Sequence, residues 1–190
     1  QKARYIIDAS SGELLRKENL VLNCTHNERI ANAIFASATA IDGVVTGANT
    51  TSSRAEACDP EFQVGMPYLA IPDSINGTVY TDYEGNATGL VGGQRTLTVD
   101  GRYFDVNYAS GAPYSQSVNI ESGVPFNIAL NPTDESGKAA MNAYIESNVV
   151  RDFTLARNPS YPTIGNQFNW DINIGVSGSC NAFYNGSSIN

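Results

Sequence analysis

The chain has 190 residues, enough for one ordinary domain or two small ones. Apolar residues make up 42% and charged residues only 16%, which excludes a disordered polyelectrolyte and supports a packed core. A net charge of -8 makes a nucleic-acid duplex or an anionic bilayer a poor partner, and no apolar run approaches the roughly 18 residues needed to cross a membrane.

Gln1 leads directly into Lys2-Ala3-Arg4 and the apolar Tyr5-Ile6-Ile7 with no signal peptide, so the start reads as a cut inside a longer precursor. Within residues 1–22, Arg4 to Asp8 and Glu13 to Lys17 read as two strands of a hairpin around Ala9-Ser10-Ser11-Gly12. Residues 23–58 read as a linker with a short helix. Asn27 caps Glu28 to Ala40, with Ile30, Ala33, Ile34 and Ala38 in helical register. An extended loop is the competing reading, because Gly43, Gly47 and the following Ser/Thr cluster break any long helix.

Residues 59–131 read as wholly β. Thr78 to Asp82, Thr96 to Asp100, Arg102 to Tyr108 and Ser117 to Ile120 read as strands, with alternation visible in the second and third. Asp100-Gly101 predicts a two-residue hairpin between the second and third of these. Turn chemistry recurs at Asn76-Gly77, Glu84-Gly85, Gly92-Gly93 and Gly111, a spacing that suits a small antiparallel sandwich. In residues 132–190 a helix is predicted from Glu135 to Thr154. Met141, Tyr144, Ile145, Val149 and Phe153 form its buried face, with Asn142, Glu146 and Arg151 away from it. Pro159 and Pro162 then enforce a loop, and Phe168 to Ile174 alternates as a strand. The fold class is therefore mainly β with one or two helices (α+β): an antiparallel β-sandwich module flanked by an N-terminal hairpin and a C-terminal helix-plus-strand segment.

Three cysteines, Cys24, Cys58 and Cys180, leave one without a partner inside the chain. A Cys24–Cys58 disulfide, with Cys180 paired beyond Asn190, is the expected arrangement; three buried reduced thiols are the alternative. Asn-x-Ser/Thr acceptors for glycans occur at Asn23, Asn49, Asn76, Asn86 and Asn185, which suits a secreted, extracellular protein. His26 is the single histidine, too few for a zinc site, and no His-Glu-x-x-His, Cys-x-x-Cys, Gly-x-Ser-x-Gly or phosphate-binding loop occurs. Asp82, Glu84 and Asn86 sit at alternate positions but miss the spacing of a calcium loop, so they read as a solvated turn. No catalytic residue, metal ligand or cofactor is assigned to this chain.

Tyr5-Ile6-Ile7-Asp8-Ala9-Ser10-Ser11-Gly12-Glu13-Leu14-Leu15 resembles the end of the propeptide of secreted zinc metallopeptidases of the thermolysin and fungalysin type. Cys180-Asn181-Ala182-Phe183-Tyr184-Asn185-Gly186 resembles the strand that precedes their zinc-binding helix. The resemblance implies that Asn181, Ala182, Phe183 and Tyr184 line an extended peptide substrate along a sheet edge. It also implies that residues 132–190 are the helix and substrate-edge strands of an incomplete peptidase domain. Pro72 to Val79 and Thr81-Asp82-x-x-Gly85 resemble an inserted sandwich of the carboxypeptidase-regulatory type. The chain departs from the family in stopping at Asn190, before the His-Glu-x-x-His helix. Zinc is expected only in a downstream part, and this chain alone is expected to be inactive. The reading is a non-catalytic fragment of a secreted zinc metallopeptidase precursor, whose partner is an extended peptide or a neighbouring chain. One alternative is a structural extracellular module that self-assembles into a filament by strand donation. Another is a carbohydrate- or cell-surface-binding sandwich using Tyr103, Tyr108 and Tyr114.

Overall fold

The computed structural model describes residues 3–7, 14–19, 40–50, 61–166, 168–176 and 187–189. The chain divides into two compact units, Gln1–Ala33 and Ile34–Asn190. The first holds β1 (Ala3–Ile7) and β2 (Leu14–Asn19), paired antiparallel from Ala3 opposite Asn19 to Ile7 opposite Leu14. This is the predicted hairpin; its turn lies outside the described residues.

The second unit contains β3 (Ile41–Thr50), β4 (Glu61–Gly65), β5 (Ala70–Asp73), β6 (Gly77–Tyr80), β7 (Asn86–Leu90) and β8 (Gly93–Thr98). These are followed by β9 (Phe104–Tyr108), β10 (Ser115–Ile120), β11 (Phe126–Leu130), α1 (Glu135–Arg157), β12 (Trp170–Ile174) and β13 (Ser188–Ile189). The described residues are mainly β with a single helix, as the alternating patterns predict.

Strand β3 organises the unit. Its first half pairs with β7 and its second half with β4, both antiparallel, while β11 runs parallel along its other edge. This region was expected to be linker. Gly43 and Gly47, read as helix breakers, are sites of close approach: a Cβ on Gly47 would come within 2.6 Å of Met141 Sδ on α1. A strand buried between neighbours uses glycine where another element crosses it. The helix expected over residues 28–40 lies outside the described residues except at Ala40, which makes a β-bridge instead.

The pairing is also less uniformly antiparallel than expected. Strand β12 runs parallel to both β9 and β13 in a sheet ordered β13-β12-β9. The Asp100-Gly101 hairpin is not formed between neighbouring strands. Strand β8 pairs with β10 and β9 with β12, and Asp100 bridges Asp105 alone. A two-residue type I′ turn needs positive φ at both central residues, and Gly101 is not among the positive-φ glycines. It is instead pressed against Tyr144 and the backbone of Tyr68, where no Cβ fits.

Helix α1 is capped by Asp134, whose Oδ1 accepts from Gly137 N at 2.8 Å, satisfying one orphan N–H of the first turn. Gly137, Ala140, Met141, Tyr144, Ile145, Asn148 and Arg151 are its buried residues, a stripe with the three- and four-residue spacing of one helix face. Two expectations for this helix are overturned. Phe153 is half exposed, and Arg151 is buried. The stripe continues through polar residues rather than bending to follow the apolar ones. Helix α1 packs on β3, β9 and β12, so the strands of residues 59–131 and the elements of 132–190 share one core. Val45, Met66, Leu69, Leu97, Leu130, Met141, Tyr144 and Ile172 lie at its centre.

Candidate functional site

The residues that the sequence marks as peptide-contacting, Asn181, Ala182, Phe183 and Tyr184, lie outside the described residues, as do Cys24, Cys58, Cys180, His26, Asn23 and Asn185. Their flanks are described. Strand β12 ends at Ile174, and the chain returns as β13 parallel to it, with Asp171 opposite Ser188 and Ile172 opposite Ile189. Parallel partners cannot be joined by a tight turn, and the connection, residues 175–187, carries the Asn181–Tyr184 sequence. On the core side of this sheet Val106 and Ile172 pack beneath α1. On the opposite side, Asn107 Nδ2 donates to Asp171 Oδ1 at 2.8 Å. Burial, reinforced by the charges of Asp100 and Asp171, raises the pKa of the nearby Asp105 carboxyl.

The starts of β9 and β12 carry a second feature, a cluster of aromatic rings and two arginines. Tyr103 stacks on Phe168, with ring centroids 5.7 Å apart and planes inclined by 26°. Tyr68 meets Tyr103 edge-on at 4.9 Å, one of the offset geometries that ring quadrupoles favour. Arg151 enters from α1, its Cζ 3.3 Å from the Tyr103 centroid, and its Nη1 donates to Asp152 Oδ1 at 2.7 Å. The Tyr68 hydroxyl donates to the other Asp152 oxygen at 2.6 Å. Burial first, and then the Asp152 carboxylate, push the Tyr68 phenol well above its ordinary pKa. Arg102 lies on the outer side, its Cζ 6.0 Å from the Tyr80 ring, 5.7 Å from Tyr103 and 6.0 Å from Phe168. Among the described residues no carboxylate lies within ion-pair distance of it.

The backbone is strained at this cluster. Tyr68 and Asn169 are the two non-glycine residues with positive φ among the described residues, both at 54°. Asn tolerates this region, but for a bulky residue such as Tyr it costs about 1–2 kcal/mol. Three hydrogen bonds hold Tyr68 there: its N–H donates to Asp82 O, its carbonyl accepts from Arg102 N, and its hydroxyl binds Asp152. Strain that persists because neighbours overdetermine it gathers at functional sites. Of the three tyrosines singled out in the sequence, only Tyr103 belongs to the cluster. Tyr108 and Tyr114 are half-buried, and the Tyr114 hydroxyl is engaged by Gln116 and by the backbone N–H of Asn131. Tyr68, Tyr80, Arg102 and Phe168 come from four separate segments, and no local pattern joins them.

The other marked residues serve loops. Asp82 Oδ1 accepts from the N–H groups of Glu84 and Asn86 and its Oδ2 from Asn86 Nδ2, so the acidic turn is self-bonded. Asn76 and Asn86 are exposed, with Asn76 Nδ2 donating to Gly89 O and Asn86 Nδ2 to Asp82 across open surface. Asn49 is 5% exposed, and its Nδ2, the atom a glycan would occupy, donates to Glu146 Oε1 at 2.9 Å. A glycan at Asn49 is incompatible with that contact.

Comparison of the chain with protein-family models, curated proteins and solved structures returns no match in any of the three. Among the described residues, no three His, Cys, Asp or Glu side chains are grouped to hold a metal ion. His26, the single histidine of the sequence, lies outside those residues.

Proposed function

We propose that the chain is the part of a secreted zinc metallopeptidase precursor that lies upstream of the metal-binding helix. In this reading it performs no chemistry. It supplies Asn181–Tyr184 as the strand along which an extended peptide lies, with main-chain groups pairing to the peptide and the Asn181 side chain fixing its position. The observation that supports the reading best is the sheet β13-β12-β9 with α1 packed behind it: the two strands flanking the Cys180–Gly186 sequence are parallel neighbours at one end of a sheet backed by the core. The propeptide-like hairpin at the other end of the chain supports it independently of that sheet.

Sequencing the source transcript beyond codon 190 tests the proposal. A His-Glu-x-x-His motif in the continuing frame is the expected result, together with chelator-sensitive peptide hydrolysis by the full-length secreted protein. A stop codon directly after Asn190, in a transcript encoding no such motif, would overturn it.

A further inference from the structure

The geometry points to a binding site for a carboxylate-bearing sugar, the uronic acid unit of an acidic polysaccharide, formed by Arg102 with Tyr80, Tyr103 and Phe168. This inference stands apart from the peptidase reading, since it uses none of the residues on which that reading rests.

The two arginines of the cluster have different roles. Arg151 is buried and bound to Asp152, so it is neutralised and holds the Tyr103 ring from beneath. Arg102 is exposed, with three rings around its guanidinium and no acidic partner among the described residues. A guanidinium ringed by three aromatic faces, with no carboxylate within ion-pair distance among the described residues, is open to an anionic ligand. Its planar fork suits a carboxylate, which it binds through two parallel hydrogen bonds.

The rings decide what carries that carboxylate. Phe168 is 56% exposed and Tyr80 42% exposed, large values for aromatic side chains whose neighbours are packed. Stacking fixes the Phe168 plane on Tyr103, and Tyr103 is fixed in turn by Tyr68 and Arg151. A rigid, exposed aromatic face pre-paid in entropy matches a flat ligand with an apolar side, as a pyranose ring has. An extended acidic peptide is the poorer match, because strand addition needs unpaired main-chain groups. Here several are already used: Gly101 N donates to Phe104 O, Arg102 N to Tyr68 O, Trp170 N to Tyr103 O and Tyr68 N to Asp82 O. The overall negative charge does not forbid a polyanion at close range, since surface charges more than about 8 Å away are largely screened at physiological salt.

Isothermal titration of the chain with galacturonate tetramers at physiological salt tests the inference, with galactose tetramers and polyglutamate as controls. Saturable binding of the uronate is expected, with loss of about tenfold or more in affinity for Arg102→Met and for Phe168→Ala and a smaller loss for Arg102→Lys. Both side chains are exposed, so circular dichroism and melting temperature should match the parent protein. Equal affinity for neutral galactose oligomers would remove the carboxylate from the argument. Equal affinity for polyglutamate would reduce the site to a non-specific cation. Absence of uronate binding at millimolar concentration, or binding undiminished in Arg102→Met, would overturn the assignment.

Discussion

Arg95 Nη1 lies 3.2 Å from Asp73 Oδ2, and both side chains are shut away from solvent. The carboxylate does more than meet the arginine. Its Oδ1 accepts from the N–H groups of Ile75 and Asn76, and its Oδ2 accepts from Val91 N. Arg95 in turn donates to the carbonyls of Pro72 and Val91. One ion pair thus ties the β5–β6 turn to the segment between β7 and β8.

Asp73→Ala should cost about 3–5 kcal/mol, because it removes the counter-charge of a buried guanidinium, which keeps only the Pro72 and Val91 carbonyls, and leaves three backbone donors without acceptors. Arg95→Met should cost less, since Asp73 retains its three N–H donors. Urea unfolding of both single variants and the double variant checks the order; equal losses would contradict it. Burial alone would raise the Asp73 pKa, but the donors of Val91, Asn76, Ile75 and Arg95 outweigh it and hold the carboxyl well below its usual range. The stabilisation is therefore fully present above the ordinary carboxylate pKa and is lost progressively as pH falls from there to the depressed folded value. Below neutral pH, Asp73→Ala should show a flatter stability profile than the parent.

Asp105 has the opposite sign. Its folded pKa is raised by burial and by Asp100 and Asp171, so the folded state binds the proton more tightly than the unfolded chain does. Asp105 consequently weakens the fold above its folded pKa, and that penalty fades as pH falls from there towards the ordinary carboxylate value. Asp105→Asn should raise the melting temperature at pH 7 and lose its advantage in mild acid. A variant that melts below the parent at pH 7 would refute this.

The Tyr144 hydroxyl donates to Pro67 O at 2.7 Å in the middle of the core. Tyr144→Phe keeps the ring packing but orphans that carbonyl, at a cost of about 1–3 kcal/mol. Gly101→Ala should be worse, because its Cβ would displace the same hydroxyl and the Tyr68 carbonyl together. Chemical denaturation of the two variants side by side tests the ranking.

Expression in a glycosylating secretory host should yield folded protein modified at Asn76 or Asn86 but not at Asn49. The Asn49 amide is buried against Glu146, so a glycan attached there before folding would exclude the chain from the folded pool. Peptide mapping by mass spectrometry of the monodisperse fraction checks this. Occupied Asn49 in compact, stable material would contradict it.

Strands with clean alternation, such as β9 and β12, were legible in the sequence because one face of each is apolar. The helix over Glu135–Arg157 was legible as well, although its face was misjudged. Apolar residues alone led to Phe153, whereas the real stripe includes Asn148, which donates to Tyr144 O, and Arg151, which packs on Tyr103. Strand β3 was missed because a doubly flanked strand carrying Gly43 and Gly47 has neither alternation nor strong β formers throughout. The arginine–aromatic cluster left no local trace, since its members meet only through tertiary packing and its strained backbone at Tyr68 has no sequence signature.

The position of β3 has a consequence for how the molecule is made. Gly43 is matched with Phe126 and Gly47 with Leu130, so one edge of the organising strand stays unmatched until about eighty further residues have been translated. Pairings that distant in sequence are slow to close and expose strand edges meanwhile. On the ribosome the second unit cannot reach its final arrangement before β11 and α1 have emerged, and chaperone dependence during synthesis should track release of that stretch.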